Sequence, residues 1–287
     1  MNVLVSLNRA YLKHFQVMLL SLSLCTESEL CLYVLHEDLK DEDFCRLRAV
    51  FPEVDFNFIT VSGDMCRGFP TVKRYPRLVY YRIFAPVLLP EKVCRALYLD
   101  CDLVLHNSID EFYSSPFGEN LFVACTHVGK ALSALNRIRL GGGKNHVYIN
   151  TGVVLMNVEK LRLTFDLGAL RDFTIGNKHR LLLYDQDVLY RFYGDKIALA
   201  DHLIYNLTDR EVLKQNLFGE RKIDGEWIEK NNAVVHYVGR NKPWKKNYRG
   251  TLGKYYEGYE KLLSARSAEA QIREALPASS ADRHLLI

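Results

Sequence analysis

NVLVSLNRAYLKHFQVMLLSLSLCTESELCLYVLHEDLKDEDFCRLRAVFPEVDFNFITV, residues 2–61, decides the fold. Asn2–Leu7 alternates apolar and β-branched residues and reads as a strand. Tyr11–Cys25 carries apolar residues at helical spacing, and Leu30–His36 is a second apolar strand. Lys40–Phe51 reads as a helix, because acidic residues crowd its first turn, where the helix dipole favours them, and Pro52 follows its end. Val54–Val61 is a third strand. Strand, helix, strand, helix, strand predicts an α/β layer with a parallel sheet, since parallel neighbours need crossover connections. Phe15–Cys25 could pass for the apolar core of a secretory leader, but no small-residue cleavage site follows and the run is too short to span a bilayer. A buried first helix is the better reading.

Downstream, Pro70 and Pro76 punctuate a basic-aromatic stretch, TVKRYPRLVYYR (71–82). RALYLDCDLVL (95–105) reads as the most buried strand, followed by a short helix over Ser108–Ser115 with Ser108 as its cap. Phe122–Val128 and Tyr148–Val158 read as strands, Glu159–Phe173 and Gln186–Tyr193 as helices, and Ala233–Val238 as a late strand. Between the first two, Gly141-Gly142-Gly143-Lys144 reads as a mobile loop or a lid. With no repeat and no linker, the expectation is one domain over 1–265 and a frayed tail over 266–287.

Charge and cysteines exclude several classes. The net charge is only +4, yet residues 236–266 hold eight basic residues against two acidic ones, which leaves the remainder at −2. That balance excludes a uniformly basic nucleic-acid coat. The seven cysteines form no C-x-x-C pair, which fits neither a disulfide scaffold nor a thiolate zinc site and points to a reducing, cytoplasmic compartment. Basic residues Lys245, Lys246, Arg249 and Lys254, interleaved with Trp244, Tyr248, Tyr255, Tyr256 and Tyr259, read either as a solvated helical end or as a patch for peripheral contact with the anionic inner face of a membrane. Asn206-Leu207-Thr208 matches a glycosylation sequon that has no meaning in the cytoplasm.

The turn after the first strand, Leu7-Asn8-Arg9, has no glycine, so the dinucleotide fingerprint is absent, and Lys144 is followed by asparagine, so the glycine run is not a P-loop. Asp100-Cys101-Asp102 places two carboxylates on one side of a segment that emerges from a buried strand, where ligands of open α/β sheets sit. Such a pair suits Mg²⁺ or Mn²⁺ on a diphosphate, or a strand-to-turn pair with local hydrogen bonds. HYVGRNKPW (236–244) adds an imidazole for the metal, a glycine that permits close backbone approach and a lysine for phosphate. Together the two motifs favour a metal–diphosphate site.

With NVLVSLNRAY (2–11), YYRIF (80–84), YLDCDLVL (98–105), YINTGVVLMN (148–157) and DQDVL (185–189) in the same order, the chain resembles glycosyltransferase family eight up to about residue 260. This family contains retaining enzymes such as the bacterial lipopolysaccharide galactosyl- and glucosyltransferases. The resemblance implies a GT-A-type, Rossmann-like single domain with a mostly parallel sheet and a C-terminal helical extension. It also implies a UDP-sugar donor, UDP-glucose or UDP-galactose above all, a glycan or glycolipid acceptor, and Mn²⁺ or Mg²⁺.

By the same resemblance, Asp100, Asp102 and His236 are the metal ligands, with the aspartates also at the ribose. Gly239 and Lys242 contact the diphosphate, and Asn8 and Tyr11 lie on the uridine side. Arg82 contacts the donor sugar and diphosphate, Asn150 and Gly152 line the sugar pocket, and Asp185 and Gln186 face the reacting carbon. The family often carries an aspartate where this chain has Asn8, which leaves uracil to amide hydrogen bonds. The Gln186 amide is a poor nucleophile, which favours front-face substitution, and Asp187 is expected to anchor its helix. The alternatives are another D-x-D nucleotide-sugar enzyme, a nucleotidyltransferase or hydrolase, and a silent sugar-nucleotide-binding homologue; a nucleotidyltransferase would want a glycine- and lysine-rich first turn, which is missing, and a silent homologue should have lost a ligand or Lys242, and all are present.

Overall fold

In the computed structural model, which describes residues 1–72 and 76–275, the opening stretch folds as its periodicity dictates. Strand β1 (Asn2–Ser6), the helix Leu12–Cys25, β2 (Cys31–His36), the helix Asp41–Val50 and β3 (Asp55–Thr60) alternate in order. β1 pairs in parallel with β2, and β2 with β3. The remaining strands are β4 (Arg95–Leu99), β5 (Leu103–Leu105), β6 (Phe122–Cys125), β7 (Asn150–Asn157), β8 (Ile197–Leu199) and β9 (Val234–His236). A seven-stranded sheet runs β3-β2-β1-β4-β7-β6-β8, and β5 and β9 form a separate two-stranded ribbon. Within the seven-stranded sheet β7 runs against its neighbours, β4 and β6, while the other described pairs are parallel; the β5–β9 ribbon is antiparallel. The fold is thus α/β with a mostly parallel sheet.

Alternation along β1 divides the core. Val3 and Val5 face one apolar layer with Phe15, Met18 and Leu19 of the first long helix, while Leu4 faces another layer containing Tyr33, Tyr98 and Leu189. Residues Phe15–Leu22 are buried without interruption, so this helix is core on every side, as expected for the buried-helix reading. Against it packs the C-terminal helix Gly253–Ala275. Lys13 pairs with Glu260 at 2.6 Å, and the Arg266 guanidinium clamps Glu53 at 2.6 Å and donates to the Val50 carbonyl. The chain therefore does not fray at Arg266; helix continues to Ala275, and residues 276–287 of the expected tail lie outside the described residues.

Several boundaries depart from sequence expectation. RALYLDCDLVL is two strands, not one. The Asp100 N–H still donates to the Gly152 carbonyl of β7 at 2.8 Å, whereas the Asp102 carbonyl accepts from Tyr237 N–H at 2.9 Å. The backbone leaves the main sheet and joins the ribbon across the D-x-D, because its hydrogen-bonding partner changes there. The helix expected over 159–173 is two, Val158–Thr164 and Leu167–Gly176, the second capped by Asp166, which accepts from Ala169 N–H at 2.9 Å. The strand expected over 122–128 stops at Cys125. Within 71–82, residues 73–75 lie outside the described residues and Leu78–Tyr81 begins a run of short helices. A helix over Lys130–Leu140, unread in the sequence, ends at a left-handed Gly141 (φ 67°). Gly142 beyond it is packed: a Cβ there would lie 2.4 Å from the Tyr190 hydroxyl oxygen.

Candidate active site

The D-x-D sits where three pieces of backbone meet: the end of β4, the start of β7 and the end of β9. His236 closes β9, opposite Leu103 of β5, which turns its imidazole toward the two carboxylates. Its Nε2 lies 3.1 Å from Asp102 Oδ1 and 3.7 Å from Asp100 Oδ2. One ligand atom from each of Asp100, Asp102 and His236 can be chosen so that all lie within 4.8 Å of one another. This is the only such trio of acidic, histidine or cysteine side chains among the described residues.

A divalent cation fits this donor set. Two carboxylates and an imidazole are a mixed oxygen–nitrogen shell of the kind Mn²⁺ accepts. Gly152 leaves the facing volume clear: a Cβ there would fall 2.2 Å from His236 Cε1 and 2.8 Å from Asp100 Oδ2. At this position glycine is required by space rather than by backbone angle.

Two cations flank the trio. Lys242, 6% exposed, has its Nζ on Asp102 Oδ2 and donates to the Tyr237 carbonyl at 2.6 Å. Burial alone would push the Asp102 carboxyl up, but Lys242 and His236 hold it well below the ordinary carboxylate range. Gly239, at φ 88°, turns the chain between His236 and that lysine.

On the other side, buried Arg82 bridges two carboxylates, with Nη2 2.9 Å from Asp100 Oδ1 and Nε 3.3 Å from Asp185 Oδ2, while Nη1 donates to the Thr151 carbonyl at 2.5 Å. Its guanidinium stacks 4.2 Å over the Tyr98 ring, whose hydroxyl donates to Asp100 at 3.1 Å. Asp185 accepts from Thr151 Oγ1 at 2.7 Å, yet burial outweighs Arg82 and that hydrogen bond and pushes its carboxyl up to about 6.

The structure thus gathers Asp100, Asp102, His236, Lys242, Arg82, Gly152 and Asp185 into one contact network. Asn150 joins it through Asn206, whose Nδ2 donates to Asn150 Oδ1 at 3.1 Å. Tyr11 lies within its field: burial and the charge of Asp102 push the phenol up to about 12. Asn8 Oδ1 accepts from Tyr11 N–H at 3.2 Å and so closes the turn after β1. Gln186 is half-buried in the first turn of the helix Tyr184–Tyr193, next to Asp185. Asp187 is fully buried and accepts from both Arg139 terminal nitrogens (2.7 and 2.8 Å), Tyr148 Oη (2.6 Å), and the Leu182 and Leu183 N–H groups. That pattern is an anchor, as expected.

Sequence reading missed Thr151, Tyr98 and Asn206. Thr151 and Tyr98 lay inside quoted motifs, whereas Asn206 stood in the sequon, a pattern assigned to other chemistry.

The interleaved aromatics of the C-terminal segment turn inward. Tyr255 and Tyr256 are buried, and Trp244 stacks on His14 at 3.7 Å. Lys245, Lys246, Arg249 and Lys254 remain exposed. No helix among the described residues is long and apolar enough to cross a membrane.

Known proteins share this fold. A galactosyltransferase, LgtC, solved with donor and acceptor sugar analogues, superposes with a TM-score of 0.79 at 20% identity over 92% of this chain and 96% of its own. The glycosyltransferase GlyE of Streptococcus pneumoniae superposes at 0.69, over 97% of this chain and 65% of its own. In sequence, general stress protein A of Bacillus subtilis is 26% identical over 83% of this chain and 85% of itself. The lipopolysaccharide 1,3-galactosyltransferase of Salmonella typhimurium is 25% identical over 76% and 65%. The lipopolysaccharide glucosyltransferase WaaO of Escherichia coli is 23% identical over 76% and 64%, so the chain spans about two thirds of these last two enzymes. The sequence model for Glycosyl transferase family 8 matches residues 2–248, and the chain belongs to that family.

Proposed function

We propose that this glycosyltransferase moves a hexose, glucose or galactose, from a UDP-sugar to a hydroxyl of a glycan or glycolipid, with retention of anomeric configuration and dependence on Mn²⁺ or Mg²⁺. The observation that carries the reading is the convergence of Asp100, Asp102 and His236 within 4.8 Å, flanked by buried Lys242 and Arg82. Asp100, Asp102 and His236 would hold a divalent cation, which would supply positive charge to the departing diphosphate.

The chain's own residues do the rest. Lys242, fixed by Asp102 and the Tyr237 carbonyl, is a preorganised charge for the leaving phosphate. Gly239 and Lys242 are the diphosphate contacts of their loop, and Asn8 and Tyr11 hold the uridine side. Arg82 orients Asp100 and Asp185 together, linking the metal ligands to the sugar pocket lined by Asn150 and Gly152. With Gln186 facing the reacting carbon, the site offers an amide rather than a strong nucleophile, which favours front-face departure and attack. Asp185 beside it stabilises developing positive charge on the sugar.

The chemistry belongs on the cytoplasmic side, where nucleotide sugars are made. Exposed Lys245, Lys246, Arg249 and Lys254 suit electrostatic attachment to an anionic inner membrane face carrying a lipid-linked acceptor.

The test is a panel of UDP-sugars assayed for UDP release with and without Mn²⁺, followed by proton NMR of the transferred or hydrolysed sugar. The expected result is metal-dependent turnover of UDP-glucose or UDP-galactose with first-formed α product. First-formed β product would overturn retention, and turnover confined to another nucleotide sugar would overturn the donor.

A further inference from the structure

Asn206 belongs to the sequon Asn206-Leu207-Thr208, but it is fully buried and its polar atoms are spoken for. Leu207 N–H donates to the Val234 carbonyl at 2.9 Å, and His236 N–H donates to the Leu207 carbonyl at 2.7 Å. This short parallel bridge to β9 sets Asn206 beside His236. Thr208 caps the helix Asp209–Phe218 through Glu211 N–H at 3.2 Å. The motif is therefore built into the domain interior, where no glycan fits.

The orientation of the Asn206 amide follows from a chain of donors and acceptors that starts on the backbone. Gly152 N–H can only donate, and it lies 3.0 Å from Asn150 Oδ1, so the atom there must be oxygen. That oxygen lies 3.1 Å from one Asn206 side-chain atom, which must therefore be the Nδ2 donor. The remaining Asn206 atom, Oδ1, then faces His236 Nδ1 at 2.8 Å, and an acceptor there requires Nδ1 to carry a proton. A proton held on Nδ1 makes Nε2 the ring atom presented to Asp100 and Asp102. His127 Nε2, 2.8 Å from the Asn206 carbonyl, holds the backbone of this asparagine in the same place.

We propose that Asn206 is the positioning residue for the metal-ligating histidine. It fixes the His236 ring and tautomer so that Nε2 is available as a ligand, and it ties that ligand to Asn150 and Gly152 of the sugar-pocket strand. The inference rests on the metal reading given above. Partners of this kind on the far ring nitrogen of a ligating histidine raise metal affinity by about 10- to 100-fold.

The test is a calorimetric titration of Mn²⁺ into the metal-free full-length protein, carried out on wild type, His236→Ala, Asn206→Leu and Asn206→Asp. Each is paired with a thermal melt and a long-range ¹H–¹⁵N spectrum of the His236 ring at neutral pH. Leucine removes the acceptor; aspartate keeps an oxygen for Nδ1–H but replaces the donation to Asn150 with a second acceptor facing Asn150 Oδ1. Expected are a 10- to 100-fold loss of Mn²⁺ affinity in Asn206→Leu, a loss of only a few-fold in Asn206→Asp, and a proton on His236 Nδ1 in wild type and Asn206→Asp. Wild-type affinity in Asn206→Leu, with His236→Ala impaired, would overturn the proposal and leave the metal reading standing. So would equal losses in the leucine and aspartate variants. Failure of wild type to bind Mn²⁺ would instead sink the metal reading. Should the leucine variant not fold, an unprotonated Nδ1 in wild type overturns the proposal by itself.

Discussion

Single residues in this site are decided by competition between burial and pairing. Asp185 is the clearest case, because Arg82 is shared with Asp100 and leaves it under-compensated. Its carboxyl is raised from 3.8 to about 6, so the folded chain binds a proton there more tightly than the unfolded chain does. The stability from that proton is fully present below the unfolded value and is lost as pH rises through about 6. Asp185→Asn removes this dependence. Denaturant unfolding of the two proteins should show the variant gaining on wild type between pH 4 and pH 7, by about 3 kcal/mol at full expression of the shift. A pH-independent difference would contradict the assignment.

Gly152→Ala tests space rather than charge. The added methyl falls on the His236 ring and the Asp100 carboxylate, so Mn²⁺ affinity should drop at least tenfold while the melting temperature changes by only a few degrees. Unaltered affinity would mean that the cradle is wider than its contacts indicate. Much of this residue-level picture was legible in the sequence, because D-x-D and H-x-x-G-x-x-K place their chemistry within a few positions. Asn206 was not. Its role depends on a strand pairing that brings it beside a residue 30 positions away.

Elements show where local pattern suffices and where it fails. The first three strands and two helices follow periodicity because each is a complete amphipathic or buried unit. RALYLDCDLVL misled for the opposite reason: its apolar run is continuous, and the break comes from partners at Gly152 and Tyr237, both distant in sequence. The helix Lys130–Leu140 was invisible because its apolar residues contradict its placement. Leu132, Leu135 and Ile138 are exposed, while polar Asn136 is buried.

Beyond Leu140, which is buried in the core, this helix is held by a polar clamp, the bidentate pair of Arg139 on Asp187. Arg139→Ala would leave a fully buried carboxylate with only Tyr148 and two backbone N–H donors. We expect a loss of about 3 kcal/mol in chemical denaturation, with amide exchange accelerated over residues 130–140 ahead of the rest of the domain. Uniform exchange across the chain would show that the helix is held by something else.

At the scale of the whole molecule, the modest +4 resolves into two regions of different character. The catalytic α/β core is slightly acidic, and the segment after His236 is basic. Composition made that division visible, but it could not separate the two jobs of the segment. Its aromatics bind the protein to itself: His14, Trp244 and Tyr256 form one stack that fastens the C-terminal helix to the first. Its exposed lysines and arginine face outward. Sedimentation with vesicles rich in anionic lipid should therefore capture the protein at low salt and release it by about 0.5 M, with loss of capture when Lys245, Lys246, Arg249 and Lys254 are neutralised together. Capture insensitive to salt would contradict an electrostatic patch.

The proposed activity requires Asp100, Asp102 and His236 to act through a divalent ion on a nucleotide-sugar donor. The most direct measurement is UDP release from the preferred UDP-sugar by wild type and by Asp102→Ala, each with Mn²⁺ and with EDTA. Turnover is expected for wild type with Mn²⁺ only, with Asp102→Ala at least a hundredfold slower than wild type in Mn²⁺. Full wild-type turnover in EDTA, or an Asp102→Ala variant as active as wild type, would contradict that requirement.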